Sequence, residues 1–263
     1  IFGLSWGTTG AAIATWLALG QFDPGEHDVV IAYCETGAEH EDSERFLVDC
    51  ERLLFANYCH TVTRLRNEKY ADTWDLWTKR RFLAGVNGAL CTSELKVAPR
   101  MNFQRPSDIH VFGYTADKAD IKRANDFRER WDLMDVRTPL IDAGLTKENV
   151  LEMILRRGID LPVMYLLGFH NNNCIPCVKA TSPNYWARIR KFFPLQFARM
   201  VILSHELNVR LTRINDERIF IDEIPDDWPL GDPIQPACDF MCPLAESGHL
   251  RPTPPTPFSR GEG

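Results

Sequence analysis

No stretch of this 263-residue chain is apolar for long enough to cross a bilayer, which excludes a helical membrane span. Positive charge is not in excess either. Against 36 Asp and Glu there are 30 Lys and Arg, a formal net charge of −6, so no broad basic field draws in nucleic acid. The first residues lack the charged, apolar and small-residue regions of an export signal. With 8 cysteines and no such signal, the expectation is a cytoplasmic protein whose cysteines bind metal or do chemistry instead of pairing as disulfides. Internal repeats are missing. So are the two commonest phosphate-binding glycine motifs, the Gly-Lys-Ser/Thr of the Walker loop and G-x-G-x-x-G. What remains is ordinary for a globular protein: 44% hydrophobic and 25% charged residues, in a length that suits one large domain or one domain with an appendage.

The amino end carries the densest information. Ile1-Phe2-Gly3-Leu4 reads as a strand and breaks into Ser5-Trp6-Gly7-Thr8-Thr9-Gly10. A helical stretch follows over Ala11–Leu19, and a second apolar run, Val29–Tyr33, ends in Cys34-Glu35-Thr36-Gly37. A strand, a small-residue loop and a helix in that order bring free backbone N–H groups and the positive end of a helix dipole to one point, which is a phosphate site. Ser5, Trp6, Gly7, Thr8, Thr9 and Gly10 are therefore the candidate anion cradle, with an N-capped helix start as the plainer alternative. Further strands are expected over Cys59–Leu65 and Ile109–Tyr114, and helices over Ser43–Phe55 and Leu76–Gly85. The alternation predicts an α/β fold with a doubly wound parallel sheet, whose ligands sit beyond the carboxyl ends of the strands. Residues 1–140 form the expected nucleotide-binding domain. Residues 141–245 form a helical, cysteine-containing C-terminal region, with Thr146 capping one helix and another running over Pro183–Leu207. The Pro-rich tail, 246–263, is expected to be disordered.

Two cysteine pairs stand in the C-terminal region: Cys174-x-x-Cys177 and Cys238-x-x-x-Cys242. Each delivers two thiolates from one turn, which marks all four as candidate metal ligands. Zinc takes such a set, and so does a 4Fe–4S cluster. The cluster has a second option in Cys91 with Cys174, Cys177 and one C-terminal cysteine. Cys34, Cys50 and Cys59 read as core. Cys91 precedes Lys96, a cation that favours its thiolate. Lys96 and Arg123 are the candidate groups for neutralising phosphate or sulfate, Arg through paired donors and Lys as a point charge. Cys91, Lys96 and Arg123 form the candidate catalytic set. Glu35 and Glu39 read equally well as surface acids, and Arg188–Lys191 as a solvated helix face. Trp74, Trp77 and Phe82 fall near helical spacing and read as core.

The first loop resembles the PP-loop of nucleotide alpha hydrolases, Ser-Gly-Gly-x-Asp/Thr-Ser: Ser5, Gly7 and Thr9 match, while Trp6 and Gly10 depart. After it come Thr36-Gly37, then Cys91-Thr92 with Lys96 and Pro99. Gly113-Tyr114-Thr115 with Arg123, Pro139-Leu140-Ile141-Asp142, and Gly168 leading to Cys174-Ile175-Pro176-Cys177 complete the order. That order resembles the phosphoadenosine phosphosulfate (PAPS) reductase family of the PP-loop superfamily over roughly residues 1–180. The family carries Arg where Thr115 stands, and its reductases end in an E-C-G-L/I-H motif that this chain lacks. The resemblance implies a Rossmann-like adenine nucleotide alpha hydrolase fold, with Thr36 and Gly37 near the adenosine of ATP or PAPS. Two chemistries fit. In one, a thiol reduces PAPS to sulfite with a thioredoxin-like reductant. In the other, ATP is cleaved with Mg²⁺ to adenylate an acceptor, a nucleic acid among the candidates, and a sulfur donor protein displaces AMP. The alternative is a catalytically inactive nucleotide-binding module with a regulatory or assembly role.

Overall fold

The computed structural model describes residues 2–4, 25, 28–58, 61–85 and 88–234. The chain is a mixed α/β structure with short parallel and antiparallel sheets. Strand β1 (Phe2–Leu4) pairs in parallel with β2 (Ile31–Cys34), Phe2 opposite Ile31 and Leu4 opposite Tyr33. All four β2 residues are buried, as befits a strand covered on both faces. Helix α1 (Asp42–Tyr58) then crosses back to β3 (Val62–Leu65), which pairs in parallel on the other side of β2. Phe46, Leu47, Cys50 and Leu54 recur at helical spacing on α1 and are buried against Ile31, Tyr33 and Val62.

Helix α2 (Thr73–Arg80) starts where the Asp72 side chain accepts from the Asp75 N–H at 2.7 Å. It is shorter than the Leu76–Gly85 stretch expected from sequence. Arg81 adopts φ +46° and turns the chain out of the helix, and the following residues form an antiparallel hairpin of β4 (Ala84–Gly85) and β5 (Gly88–Ala89). Trp74 and Trp77 are buried as expected, but the turn leaves Phe82 43% exposed and sends Leu83 inward in its place. Helix α3 (Leu90–Thr92), a π-helical turn over Ser93–Val97 and α4 (Ala98–Phe103) run on as one continuous coil. Strand β6 (Ile109–Val111), helix α5 (Lys118–Arg130) and strand β7 (Asp135–Arg137) form a second parallel pair.

The remaining elements are helical. Helix α6 (Pro139–Asp142) leads to α7 (Lys147–Arg156), where Thr146 is the N-cap expected from sequence and completes a capping box with Asn149. Helix α8 (Val163–Leu166) precedes the cysteine loop. The single helix expected over Pro183–Leu207 is two, α9 (Pro183–Phe192) and α10 (Pro194–Glu206), because Phe193 before Pro194 leaves the helical region at φ −134°. A hairpin of β8 (Thr212–Ile214) and β9 (Glu217–Ile219) follows. Trp186, Ile189, Met200 and Leu203 of α9 and α10 bury against Trp74, Trp77, Met164 and Ile175, joining the helical region to α2 and the cysteine loop.

Arg188 is not on a solvated face. It is 5% exposed, and its Nη2 donates to the Leu230 and Gly231 carbonyls at 2.7 and 2.8 Å. Gly168, at φ +83°, makes room for it, since a Cβ there would lie 2.7 Å from Arg188 Nη1. Gly168→Ala therefore combines a left-handed alanine, about 1 kcal/mol, with displacement of a buried charged donor, roughly 1–3 kcal/mol. Urea unfolding should show a loss of about 2–4 kcal/mol. Gly158→Ala, at φ +73° with nothing within 4 Å, should lose only the first part. Equal losses in the two variants would discount the Arg188 contact.

Candidate functional site

The backbone leaving β2 is held tightly. The Glu35 N–H still donates to the Leu65 carbonyl at 2.9 Å, so the strand pairing reaches one residue past Cys34. Gly37 adopts φ +71°, and a Cβ there would stand 2.8 Å from Asp72 Cβ and 2.9 Å from the Ala71 carbonyl. Only glycine fits against the start of α2, so Gly37 has a packing role whatever binds beside it. Thr36 is 2% exposed. Glu39 folds back over it, accepting from the Thr36 and Ala38 N–H groups, each at 3.1 Å, and from the Thr36 hydroxyl at 2.5 Å. Glu39 is thus a bound carboxylate, not a free surface acid. Glu35 pairs with Arg64 at 2.9 Å, and Arg64 also holds Glu44. A cavity of about 290 Å³ opens here between Tyr33, Glu35, Gly37, Glu39, Arg64 and Arg66.

The cysteine loop docks onto this strand end. The Ile175 N–H donates to the Ala38 carbonyl at 2.7 Å, and Cys174 Sγ lies 2.9 Å from Thr36 Oγ1. Thr36 has one hydroxyl proton and gives it to Glu39, so the Cys174 thiol is the donor in the sulfur contact. The Cys177 N–H donates to the Tyr185 hydroxyl at 2.6 Å. Lys96 approaches from the π-helical turn, where the Ala98 N–H reaches back to the Ser93 carbonyl. Such turns recur at functional sites because they shift side chains off the α-helical register. The Lys96 carbonyl also accepts from the Cys34 thiol at 3.4 Å.

Burial works against the Lys96 ammonium, but Cys174, Glu39, Cys177 and Cys91 outweigh it and raise its pKa, so Lys96 remains a cation. Burial pushes the Cys174 thiol up to about 12; Lys96 pulls it down, while Glu39 adds to the rise. Burial also raises Cys91 and Cys34. The structure thus brings Thr36, Cys91, Lys96, Cys174 and Cys177 into one electrostatic neighbourhood, as free thiols around one amine. Cys34 and Cys50 are buried, as read, and Cys59 lies outside the described residues. So do Cys238 and Cys242, and likewise Ser5, Trp6, Gly7, Thr8, Thr9 and Gly10. Among the described residues no group of three His, Cys, Asp or Glu has metal-holding geometry. The Cys174–Cys177 pair alone falls short of the four ligands that zinc or a 4Fe–4S cluster takes.

A second polar group forms beyond β6. Thr115, fully buried, donates its hydroxyl to Asp117 and Asp120, each at 2.8 Å, and its N–H to Asp120. Arg123 pairs with Asp120 at 3.0 Å and has a side chain 65% exposed, so it lies with this group and not among the cysteines. Lys147 donates its N–H to Asp117 and its ammonium to Asn171, over the Tyr165 ring. Glu39, Arg100 and Lys147 were missed as site residues. The signal for Glu39 was its place three residues after Thr36, and that for Arg100 its place one turn after Lys96. Lys147 gave none beyond its N-terminal position on α7.

Two measurements check these charges. Glu39→Gln removes a charge that raises Cys174, and Lys96→Met removes one that lowers it. Iodoacetamide labelling of Cys174 at pH 8, followed by peptide mass spectrometry, should therefore quicken in the first and slow in the second, by roughly three- to tenfold each for shifts of about half to one pH unit. Identical labelling rates in all three proteins would remove Lys96 and Glu39 from the site. Burial lowers Lys147 to about 8 in the folded protein. The unfolded chain, with an ordinary lysine pKa near 10.4, binds more protons between these values, so stability rises with pH across that window. Urea unfolding of wild type relative to Lys147→Met should show this gain between pH 8 and 10, and no gain below pH 7.

Compared with known proteins, the chain matches no family model, no curated protein and no solved structure.

Proposed function

We propose that the chain binds an adenine nucleotide, ATP or PAPS, beyond the carboxyl ends of its parallel strands and acts on it in sulfur transfer or sulfonucleotide reduction. The observation that carries this reading is a thiol hydrogen-bonded to a strand-end threonine, Cys174 to Thr36, with the Lys96 ammonium beside it. The doubly wound sheet belongs to the same proposal. Strand β1 pairs with β2, and β2 with β3, on one side, and Cα atoms of β1 come within 8 Å of β6 on the other. The succession β3, β2, β1, β6, β7 reverses direction at β1, which is where nucleotides seat in such sheets. The loop Ser5–Gly10 follows β1 in sequence, and its amides suit a phosphate at that crevice.

The Cys174–Thr36–Glu39 chain gives the thiol a route for its proton. Cys174 passes it to Thr36 Oγ1 while Thr36 passes its own to the Glu39 carboxylate. The sulfur becomes a thiolate, Glu39 becomes neutral, and Lys96 faces the new negative charge. On PAPS, the thiolate attacks the sulfonyl sulfur. An S–S bond forms, the bond from sulfur to the phosphate oxygen breaks, and adenosine 3′,5′-bisphosphate leaves. A second thiolate, from Cys177 or a thioredoxin-like protein, then attacks the Cys174 sulfur, forming a disulfide and expelling sulfite. On ATP, an acceptor oxygen attacks the alpha phosphorus, the bond to the beta phosphate breaks and pyrophosphate leaves, and a sulfur donor then displaces AMP; Mg²⁺ bound at this site would supply charge stabilisation to the pyrophosphate.

Calorimetric titration with MgATP and with PAPS should detect binding of at least one of them. The turnover assays are sulfite release in the presence of thioredoxin, and AMP and pyrophosphate release in the presence of a thiol donor. Cys174→Ser should abolish sulfite release and leave nucleotide affinity within about threefold. Thr36→Val, which cuts the proton route, should lower kcat by roughly 10²- to 10³-fold with KM little changed. Binding without any turnover would mark a nucleotide-binding module. The absence of binding by both nucleotides would sink the proposal.

A further inference from the structure

Arg100 is 7% exposed, and its Nε and Nη2 atoms are buried with no hydrogen-bond partner. It sits on α4, one turn after Lys96. Its guanidinium carbon lies 5.4 Å from the Phe112 ring centroid and 5.3 Å from that of Phe127. Three titratable groups face it: Cys34 at the end of β2, His110 on β6 and Tyr114 beyond β6. Burial raises Cys34 and Tyr114 and lowers His110, and each of these shifts favours the neutral form. No carboxylate pairs with Arg100 among the described residues.

Arg188 shows how this fold satisfies a buried guanidinium when the role is structural. It too lies over a ring, Phe169 at 5.6 Å, but it also donates to two backbone carbonyls. Arg100 has the rings without the acceptors. Stacking engages the flat faces of a guanidinium and leaves its in-plane N–H fork free for an oxyanion. A desolvated cation held that way lacks a counter-charge, which burial makes costly. Its position is equally specific. Cys34 and Tyr114 approach it from the carboxyl ends of β2, which pairs with β1, and β6, whose Cα atoms come within 8 Å of β1.

We propose that Arg100 is the guanidinium of an oxyanion subsite between the ends of β2 and β6 that takes a phosphate or sulfate group. The assignment of that group to a bound adenine nucleotide rests on the reading above; the subsite itself rests on Arg100. Lys96 and Arg100 then divide the work, Lys96 serving the thiols and Arg100 the anion. Arg123, within electrostatic reach of Tyr114 on the far side, is engaged by Asp120 and is the lesser contributor.

The test compares wild type with Arg100→Met and Arg100→Lys. Thermal melts are followed at fixed ionic strength in chloride, sulfate, phosphate and pyrophosphate, and calorimetry is run with ATP, PAPS and adenosine. The wild type should melt several degrees higher in sulfate or pyrophosphate than in chloride. Arg100→Met should lose that increment while melting no lower than wild type in chloride, because it removes an unpaired buried charge. Nucleotide Kd should rise at least tenfold, and adenosine binding should be unchanged. If nucleotides fail to bind wild type but the Arg100-dependent response to sulfate or pyrophosphate is present, the subsite stands and the nucleotide reading falls. If nucleotides bind Arg100→Met as tightly as wild type, the subsite falls and the nucleotide reading stands. Should Arg100→Met not fold, Arg100→Lys decides, since an unchanged anion response there overturns the need for the guanidinium fork.

Discussion

One backbone hydrogen bond, from the Ile175 N–H to the Ala38 carbonyl at 2.7 Å, fastens the cysteine loop to the end of β2. It brings together segments that the chain separates by 138 residues at the adjoining Thr36–Cys174 contact. The acceptor is in place because the strand end is rigid. Gly37 packs where no Cβ fits, against the residue that caps α2, and Glu39 ties up the two amides on either side of it. The donor is in place because Tyr185 of α9 holds the Cys177 N–H from behind. Without either anchor, the thiol of Cys174 would have no fixed partner, and Lys96 would face solvent instead of sulfur.

Burial and charge compete at that junction, and the balance differs from group to group. For Cys174 burial is the larger influence, so the sulfur rests protonated despite the ammonium nearby. For Lys96 the surrounding acids prevail over burial, so the ammonium stays charged. A protonated thiol next to a permanent cation is a restrained nucleophile. Its negative charge is stabilised once formed, yet it does not form until a proton acceptor takes up the proton. Thr36, between Cys174 and Glu39, connects the thiol to a carboxylate by hydrogen bonds. The carboxylate is itself held in place by two amides.

Much of the frame was legible in the sequence because it depends on neighbours along the chain. Apolar runs at β2, β3 and β6, the stripe on α1 and the cap at Thr146 all follow local periodicity or local hydrogen bonding. The break at Phe193 was missed, although the proline that follows it is its cause. The turn at Arg81 was not legible, since an arginine gives no sign that it will adopt a left-handed conformation. Thr36, Cys91, Lys96 and Cys174 each stood out in the sequence, but for separate roles, and only the fold brings them together. Glu39, Arg100 and Arg188 were misread or missed for one common reason. A charged side chain is exposed by default, and only the tertiary fold shows which ones it encloses.

Lys96 and Arg100 show why the π-helical turn matters. In a regular helix, residues one turn apart share a face and serve one neighbour. Here the wide turn over Ser93–Val97 gives way to α4 between them, and the two cations meet different surroundings: thiols and a carboxylate for Lys96, aromatic rings and neutral groups for Arg100. Cys34, between them at the end of β2, donates its proton to the Lys96 carbonyl and so ties the turn to the sheet. A single coil thereby carries one cation with a carboxylate beside it and one with none. An oxyanion entering this region gains most at the cation that has no carboxylate beside it.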